Sequence, residues 1–270
     1  MIDFLCIGAQ KAGTTWLMAN LARHPQIWTP PFIKEVHYFD SVHMLYRKER
    51  ALGSYQRRGT RLIERRQELI PYFEKVVAAD FAFSDDWYAH IFSLCRKKAR
   101  KKGECTPLYC ALPDEGVAHV KAVAPKVRLI YMIREPFSRL LSSFRMAMAN
   151  RQTTSGDELS HLLDDPLFLA RGDYRNNIPR WEREFEPSQI LFVPFGLVKS
   201  DPLRVLRDVE SHLGIKPFDG YPRLADPIHP TSKEGLTIDD RLLDRMREIA
   251  DPQRDFLVER FGEEFLAATK

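Results

Sequence analysis

Near the start of the chain, Gln10-Lys11-Ala12-Gly13-Thr14-Thr15-Trp16 gathers a cation, two hydroxyls and a glycine in one short run. Hydroxyls and backbone N–H groups donate hydrogen bonds, and a lysine adds positive charge, so these residue types together suit an anion. From Gly8 to Gly13 the spacing fits the first half of the nucleotide phosphate loop GxxxxGK[ST], but Thr14 stands where that motif has its lysine. The loop's own lysine is Lys11. The ligand this predicts is a phosphate ester, held differently from a triphosphate chelating magnesium. An ordinary strand-to-helix turn is the competing reading.

Two further groups carry titratable side chains. Lys34-Glu35-Val36-His37-Tyr38-Phe39-Asp40 mixes acids, a histidine and aromatics, and Arg134-Glu135-Pro136 is followed by Arg139 and Ser142. An arginine at a strand end can bind a phosphate bidentately. Each has a plainer reading: Glu35 as an exposed acid paired with Lys34, His37 as structural, Arg134 as a surface ion pair with Glu135 or another acid, and Ser142 as a helix serine bonded to its own backbone.

The elements that must position these groups are read from periodicity. Phe4-Leu5-Cys6-Ile7 is a buried strand, and Leu17 and Leu21 share a helix face that stops by His24-Pro25. Gln26-Ile27-Trp28 makes a second strand, which places residues 34–40 beyond a strand end, where ligands collect in parallel sheets. Arginine-rich residues 47–66 form a solvated helix face or an acceptor patch. Val76-Val77-Ala78-Ala79-Asp80 is an apolar run that could mimic a magnesium-holding strand. A helix is expected from Asp85 to Ala99 with a basic end, then a compact turn at 103–109. Val127 to Ile133 is the clearest later strand, entering a helix at Pro136 with Leu140, Phe144 and Met148 on its apolar face. Residues 151–172 are polar and irregular, Ile190 to Val193 is a strand, and Asp201-Pro202 opens a helix carrying Leu203, Leu206, Val209 and Leu213 up to Gly214. A closing helix follows from Thr237, past Pro252. The expected architecture is α/β: one domain, 1–270, with a central parallel sheet flanked by helices, related to the P-loop nucleotide-kinase folds. Segments 47–75 and 151–172 are lid or acceptor-side insertions.

Composition sets limits. The chain has 270 residues, 44% hydrophobic and 29% charged, as expected of a globular protein with a sizeable core. A formal charge of +4 suits an anionic ligand but is too small to signal nucleic acid. No apolar run reaches the roughly 18 residues of a membrane span, and the first strand leaves no room for a signal peptide, so a cytoplasmic location is expected. Cys6, Cys95, Cys105 and Cys110 form no zinc-like pair and read as reduced thiols.

Taken together, these motifs resemble the sulfotransferases that use 3′-phosphoadenosine 5′-phosphosulfate (PAPS), in particular the branch containing the heparan sulfate sulfotransferases. Gln10 to Trp16 is similar to that family's (K/R)xGTT loop for the 5′-phosphosulfate. Arg134-Glu135-Pro136-Phe137-Ser138-Arg139-Leu140-Leu141-Ser142 resembles its RxPxxRxxS signature, which implies that Arg134 and Ser142 bind the 3′-phosphate. Residues 34–40 resemble the segment around the catalytic glutamate of the glucosaminyl 3-O-sulfating members, implying Glu35 as general base with His37 and Asp40 beside it. Glu104 to Tyr109 resembles their E-K-[ST]-P-x-Y turn. Ser232-Lys233-Glu234-Gly235 is similar to their SKG loop with one extra residue, implying that Lys233 and Gly235 close on the 3′-phosphate side.

The resemblance therefore implies sulfuryl transfer from PAPS, with adenosine 3′,5′-bisphosphate as the other product and no metal. Lys11 would stabilise the leaving oxygen, and a small-molecule or glycan hydroxyl or amine would be the acceptor, with no nucleic-acid or membrane partner. Cys105 stands where glycosaminoglycan-modifying members carry lysine, and their C-terminal cysteine pair is missing, which argues against a heparan-type acceptor. Two other functions fit parts of the pattern: a small-molecule P-loop kinase with Asp80 on magnesium, and a noncatalytic polyanion-binding module using residues 47–66.

Overall fold

The computed structural model describes residues 2–44, 48–95, 99–221, 224 and 237–270. Lys233 and Gly235 lie outside them. Five parallel strands, β1 (Phe4–Gly8), β2 (Ile27–Trp28), β3 (Lys101–Cys105), β4 (Arg128–Ile133) and β5 (Ile190–Pro194), form one sheet in the order β2-β3-β1-β4-β5. β1 is apolar throughout because it lies at the centre, buried along its whole length. From β1 the chain winds first to one side, through β2 and β3, and then to the other, through β4 and β5. This reversal creates a switch point at the carboxyl end of β1, where open α/β sheets bind ligands.

The helices follow in chain order: α1 (Thr14–Leu21), α2 (Phe39–His43), α3 (Lys48–Ile63), α4 (Ile70–Val76), α5 (Asp85–Ile91), α6 (Asp114–Val123), α7 (Pro136–Arg151), α8 (Pro166–Ala170), α9 (Tyr174–Glu184), α10 (Leu197–Ser200), α11 (Pro202–Leu213), α12 (Asp240–Phe261) and α13 (Glu263–Ala268). No described helix is long and apolar enough to cross a membrane. The central sheet and its flanking helices share the main core. A second apolar cluster joins Leu140, Phe144 and Met148 of α7 to Leu159, Leu162, Leu163, Phe168, Leu242 and Met246. Burying each such side chain contributes about 1.5–3 kcal/mol, which is enough to fix α7 against α12.

Several local expectations change. The stretch around Gly103 is a strand, β3, and not only a turn; its Lys101 and Lys102 start that strand and do not end a helix. The helix from Asp85 stops at Ile91. Val76 closes α4, and Ala79 to Phe83 form turns, so Asp80 lies on no strand of the sheet and the magnesium-holding geometry of the kinase reading is lost. Residues 157–163 form a 3-10 helix with Leu159, Leu162 and Leu163 buried, and 166–170 form α8 with Phe168 buried, where the sequence suggested irregular chain. Leu203 is exposed at 40%, whereas Leu206, Val209 and Leu213 are buried as expected. The four cysteines are free thiols.

Candidate active site

The loop between β1 and α1 turns through two left-handed residues, Lys11 at φ 70° and Gly13 at φ 84°. Gly13 is suited twice over: it adopts that backbone without strain, and a Cβ there would sit 3.0 Å from Phe195 Cδ2. Ala12 and Thr14 are buried, and Thr15 is half-buried at the helix start. Trp16, expected beside the ligand, is 3% exposed and packs in the main core behind the loop. Gln10 Oε1 accepts from Arg171 Nη1 at 3.2 Å. Burial, together with the neighbouring Arg134, brings Lys11 below the ordinary lysine pKa.

Residues 34–40 cross the same edge of the sheet. Lys34 Nζ donates to Thr14 Oγ1 and Thr15 Oγ1, both at 3.2 Å, and to Glu35 Oε1 at 3.3 Å. Glu35 Oε2 lies 3.3 Å from His37 Nε2, and His37 Nδ1 lies 2.6 Å from Asp40 Oδ2, with Asp40 fully buried. Burial disfavours charge on His37, but its hydrogen bonds to Asp40 and Glu35 outweigh that and push the imidazole up to about 9. At neutral pH it is an imidazolium donating to both acids. Burial also opposes the charge on Glu35, yet bonds from His37 and Lys34 hold it below the usual carboxylate range.

β3 clamps this segment from beneath. Glu104 is fully buried, accepts from Thr106 Oγ1 at 2.7 Å and Tyr88 OH at 3.3 Å, and Thr106 Oγ1 in turn accepts from the His37 N–H at 3.3 Å. Tyr109 OH accepts from the Tyr38 N–H at 2.8 Å. Burial pushes the Glu104 carboxyl up to about 7.

Arg134 follows β4 and reaches across to the loop, donating from Nη1 to the Lys11 carbonyl at 2.8 Å. Its guanidinium lies 4.7 Å from the centre of the Phe195 ring, which follows β5. Glu135 does not pair with Arg134; it caps α7 by accepting from the Phe137 and Ser138 N–H groups. Ser142 is half-buried on α7, two turns beyond Arg134.

The structure thus brings Lys11, Thr14, Thr15, Glu35, His37 and Arg134 to the carboxyl edge of one sheet. Lys34 stood in the sequence only as a counter-ion, yet it ties the loop hydroxyls to Glu35. Phe195 and Arg171 carried no motif signal at all. Among the described residues no cluster of His, Cys, Asp and Glu is arranged to hold a metal.

This edge, a cationic loop facing a hydrogen-bonded carboxylate, can bind an anionic donor and receive a proton. Residues 3–220 match the family model of the sulfotransferase family. The chain belongs to that family. This sulfotransferase is 29% identical over 121 residues to mouse heparan sulfate glucosamine 3-O-sulfotransferase 3B1, covering 42% of the chain and 31% of the relative. Over 237 residues it is 24% identical to the mouse bifunctional heparan sulfate N-deacetylase/N-sulfotransferase 4, covering 81% of the chain and 23% of the relative. The chain therefore spans less than a third of the length of these curated relatives. Among solved structures it superposes on a sulfotransferase from Alicyclobacillus acidocaldarius with a TM-score of 0.71 at 21% identity, over 100% of this chain and 99% of that one. The sulfotransferase domain of the Synechococcus PCC 7002 olefin synthase gives 0.57 at 18% identity, over 93% of both chains. At those identities the likeness shows the fold.

Proposed function

We propose that this sulfotransferase moves a sulfuryl group from PAPS to a hydroxyl or amine of a small-molecule or glycan acceptor, with Glu35 as general base. The observation that supports this reading most is the position of Lys34. One ammonium reaches both loop hydroxyls and the Glu35 carboxylate, so the anion-binding loop and the proton acceptor are a few ångströms apart. Transfer between two bound partners needs that proximity.

The residues fit such a donor. The loop amides with Thr14 and Thr15 would hold its 5′-phosphate, Arg134 and Ser142 its 3′-phosphate, and Lys233 and Gly235 would close over it. When bound, the donor supplies an already activated sulfuryl group on a phosphate leaving group. Lys11 stabilises the charge that develops on the leaving oxygen. Lys34 holds Glu35 Oε1 and His37 holds Oε2, which fixes the carboxylate to take the acceptor's proton, while Asp40 fixes His37. Segments 47–75 and 151–172 flank the acceptor side.

Transfer of radiolabel from PAPS across a panel of hydroxyl and amine acceptors tests the reading. Labelled product that persists in a chelator is expected; metal-dependent turnover of ATP without sulfate transfer would replace the reading with a kinase.

A further inference from the structure

A helix threonine can turn its hydroxyl proton back to the carbonyl three or four residues earlier. Thr14 and Thr15, which open α1, do not. The Lys11 carbonyl accepts instead from Arg134 Nη1 at 2.8 Å, and among the described residues the one partner of either hydroxyl is the Lys34 ammonium, 3.2 Å from both. Lys34 gives a third bond to Glu35 Oε1 at 3.3 Å. An ammonium has three N–H donors and no acceptor, so these three contacts use all of them.

Both threonine oxygens are therefore acceptors toward Lys34. A hydroxyl that accepts from an ammonium keeps its own single proton to give away, and neither threonine gives it to a protein group among the described residues. Thr14 is 4% exposed and Thr15 is half-buried, so the Thr15 proton is the accessible one. A free hydroxyl rotor has to be ordered when an anion arrives; one already tied as an acceptor is ordered beforehand, which lowers the cost of binding.

We propose that Lys34 is a positioning residue for the sulfuryl donor: it presets the Thr15 hydroxyl, with Thr14 behind it, to donate to the 5′-phosphate. This role is separate from the hold of Lys34 on Glu35. It rests on the reading of the β1–α1 loop as the 5′-phosphate site.

Calorimetry with adenosine 3′,5′-bisphosphate on a double-mutant cycle of Lys34→Met and Thr15→Val tests this. All four proteins carry Glu35→Gln, because Lys34→Met alone would leave an unpaired carboxylate to repel the anion. Methionine is close to the lysine stem in length, valine matches threonine in shape, and the Lys34 side chain is 24% exposed, so the changes leave the core intact. Adenosine 3′-monophosphate, which lacks the 5′-phosphate, reports whether the pocket of each variant is folded. Lys34→Met is expected to weaken the bisphosphate about 10- to 100-fold when the Thr15 hydroxyl is present. In the Thr15→Val protein the loss should be at least about threefold smaller, and the monophosphate should bind all four proteins within about twofold. Equal losses with and without the Thr15 hydroxyl, or a matching loss of the monophosphate, would overturn the role of Lys34 and leave the donor reading in place. A folded Glu35→Gln protein that binds neither nucleotide would overturn the donor reading, and this role with it.

Discussion

The guanidinium of Arg134 donates to the backbone carbonyl of Lys11 at 2.8 Å, joining the β4 and β1 strand ends across the switch point of the sheet. Two cations separated by more than a hundred residues in sequence thereby lie close together, and burial with the repulsion of Arg134 lowers the pKa of Lys11. Such an arrangement is stable when an anion sits between them. Arg134→Lys keeps one charge but loses the fork, so nucleotide affinity should fall about 10- to 100-fold with Tm changed little, as calorimetry would report.

Glu35→Gln removes the proton acceptor and leaves the loop intact. Turnover should fall by about 10²–10⁴-fold while adenosine 3′,5′-bisphosphate still raises Tm as in the wild type. Full activity in this variant would remove Glu35 from the chemistry.

The pH profile should have two limbs. Glu35 sits below the usual carboxylate range, so activity is lost as the pH falls into and below that range and the base is protonated. His37 is raised to about 9, so its stabilising charge is fully present below the ordinary histidine value of 6.5 and is lost as the pH rises through about 9. Asp40→Asn removes the stronger of its two partners and should move the alkaline limb downward. A limb that stays near 9 in this variant would contradict the Asp40-His37-Glu35 chain.

Glu104 works in the same direction as His37, lowering stability as the pH rises, but it does so in the neutral range. Its folded value of about 7 lies above the ordinary 4.5, so burial of this acid costs stability progressively as the pH rises from 4.5 through 7. The full cost is roughly 3 kcal/mol. Glu104→Gln should therefore flatten the dependence of denaturation midpoint on pH between 5 and 8. Parallel curves for wild type and variant would show that Glu104 does not titrate in that range.

Much of this was legible in the sequence where local chemistry and tertiary role agree. β1 is a continuous apolar run because it is central, and Arg134 is placed because an apolar strand leads to a helix-opening proline. The helix from Pro202 is bounded by an Asp201 cap and Gly214, as its residues suggest. β3 was hidden because Lys101-Lys102-Gly103-Glu104-Cys105 has almost no β-branched or aromatic side chains. It is a strand through its pairing with β1 and β2, and its acid is buried through contacts from Thr106 and Tyr88 that no spacing announces. Residues 157–170 looked like a polar loop because their apolar residues are interrupted by acids and a proline, yet Leu159, Leu162, Leu163 and Phe168 pack with the apolar residues of α7 and α12. Lys34, adjacent to Glu35, looked like its surface partner; only the fold brings Thr14 and Thr15 to the same ammonium.

Titration calorimetry with adenosine 3′,5′-bisphosphate is the most direct measurement, made on the wild type and on Lys11→Ala and Arg134→Ala proteins. One saturable site in the wild type, weakened at least about tenfold in each variant, is the predicted result. No heat in a folded wild-type protein, or equal affinity in all three proteins, would contradict a single pocket holding both phosphates.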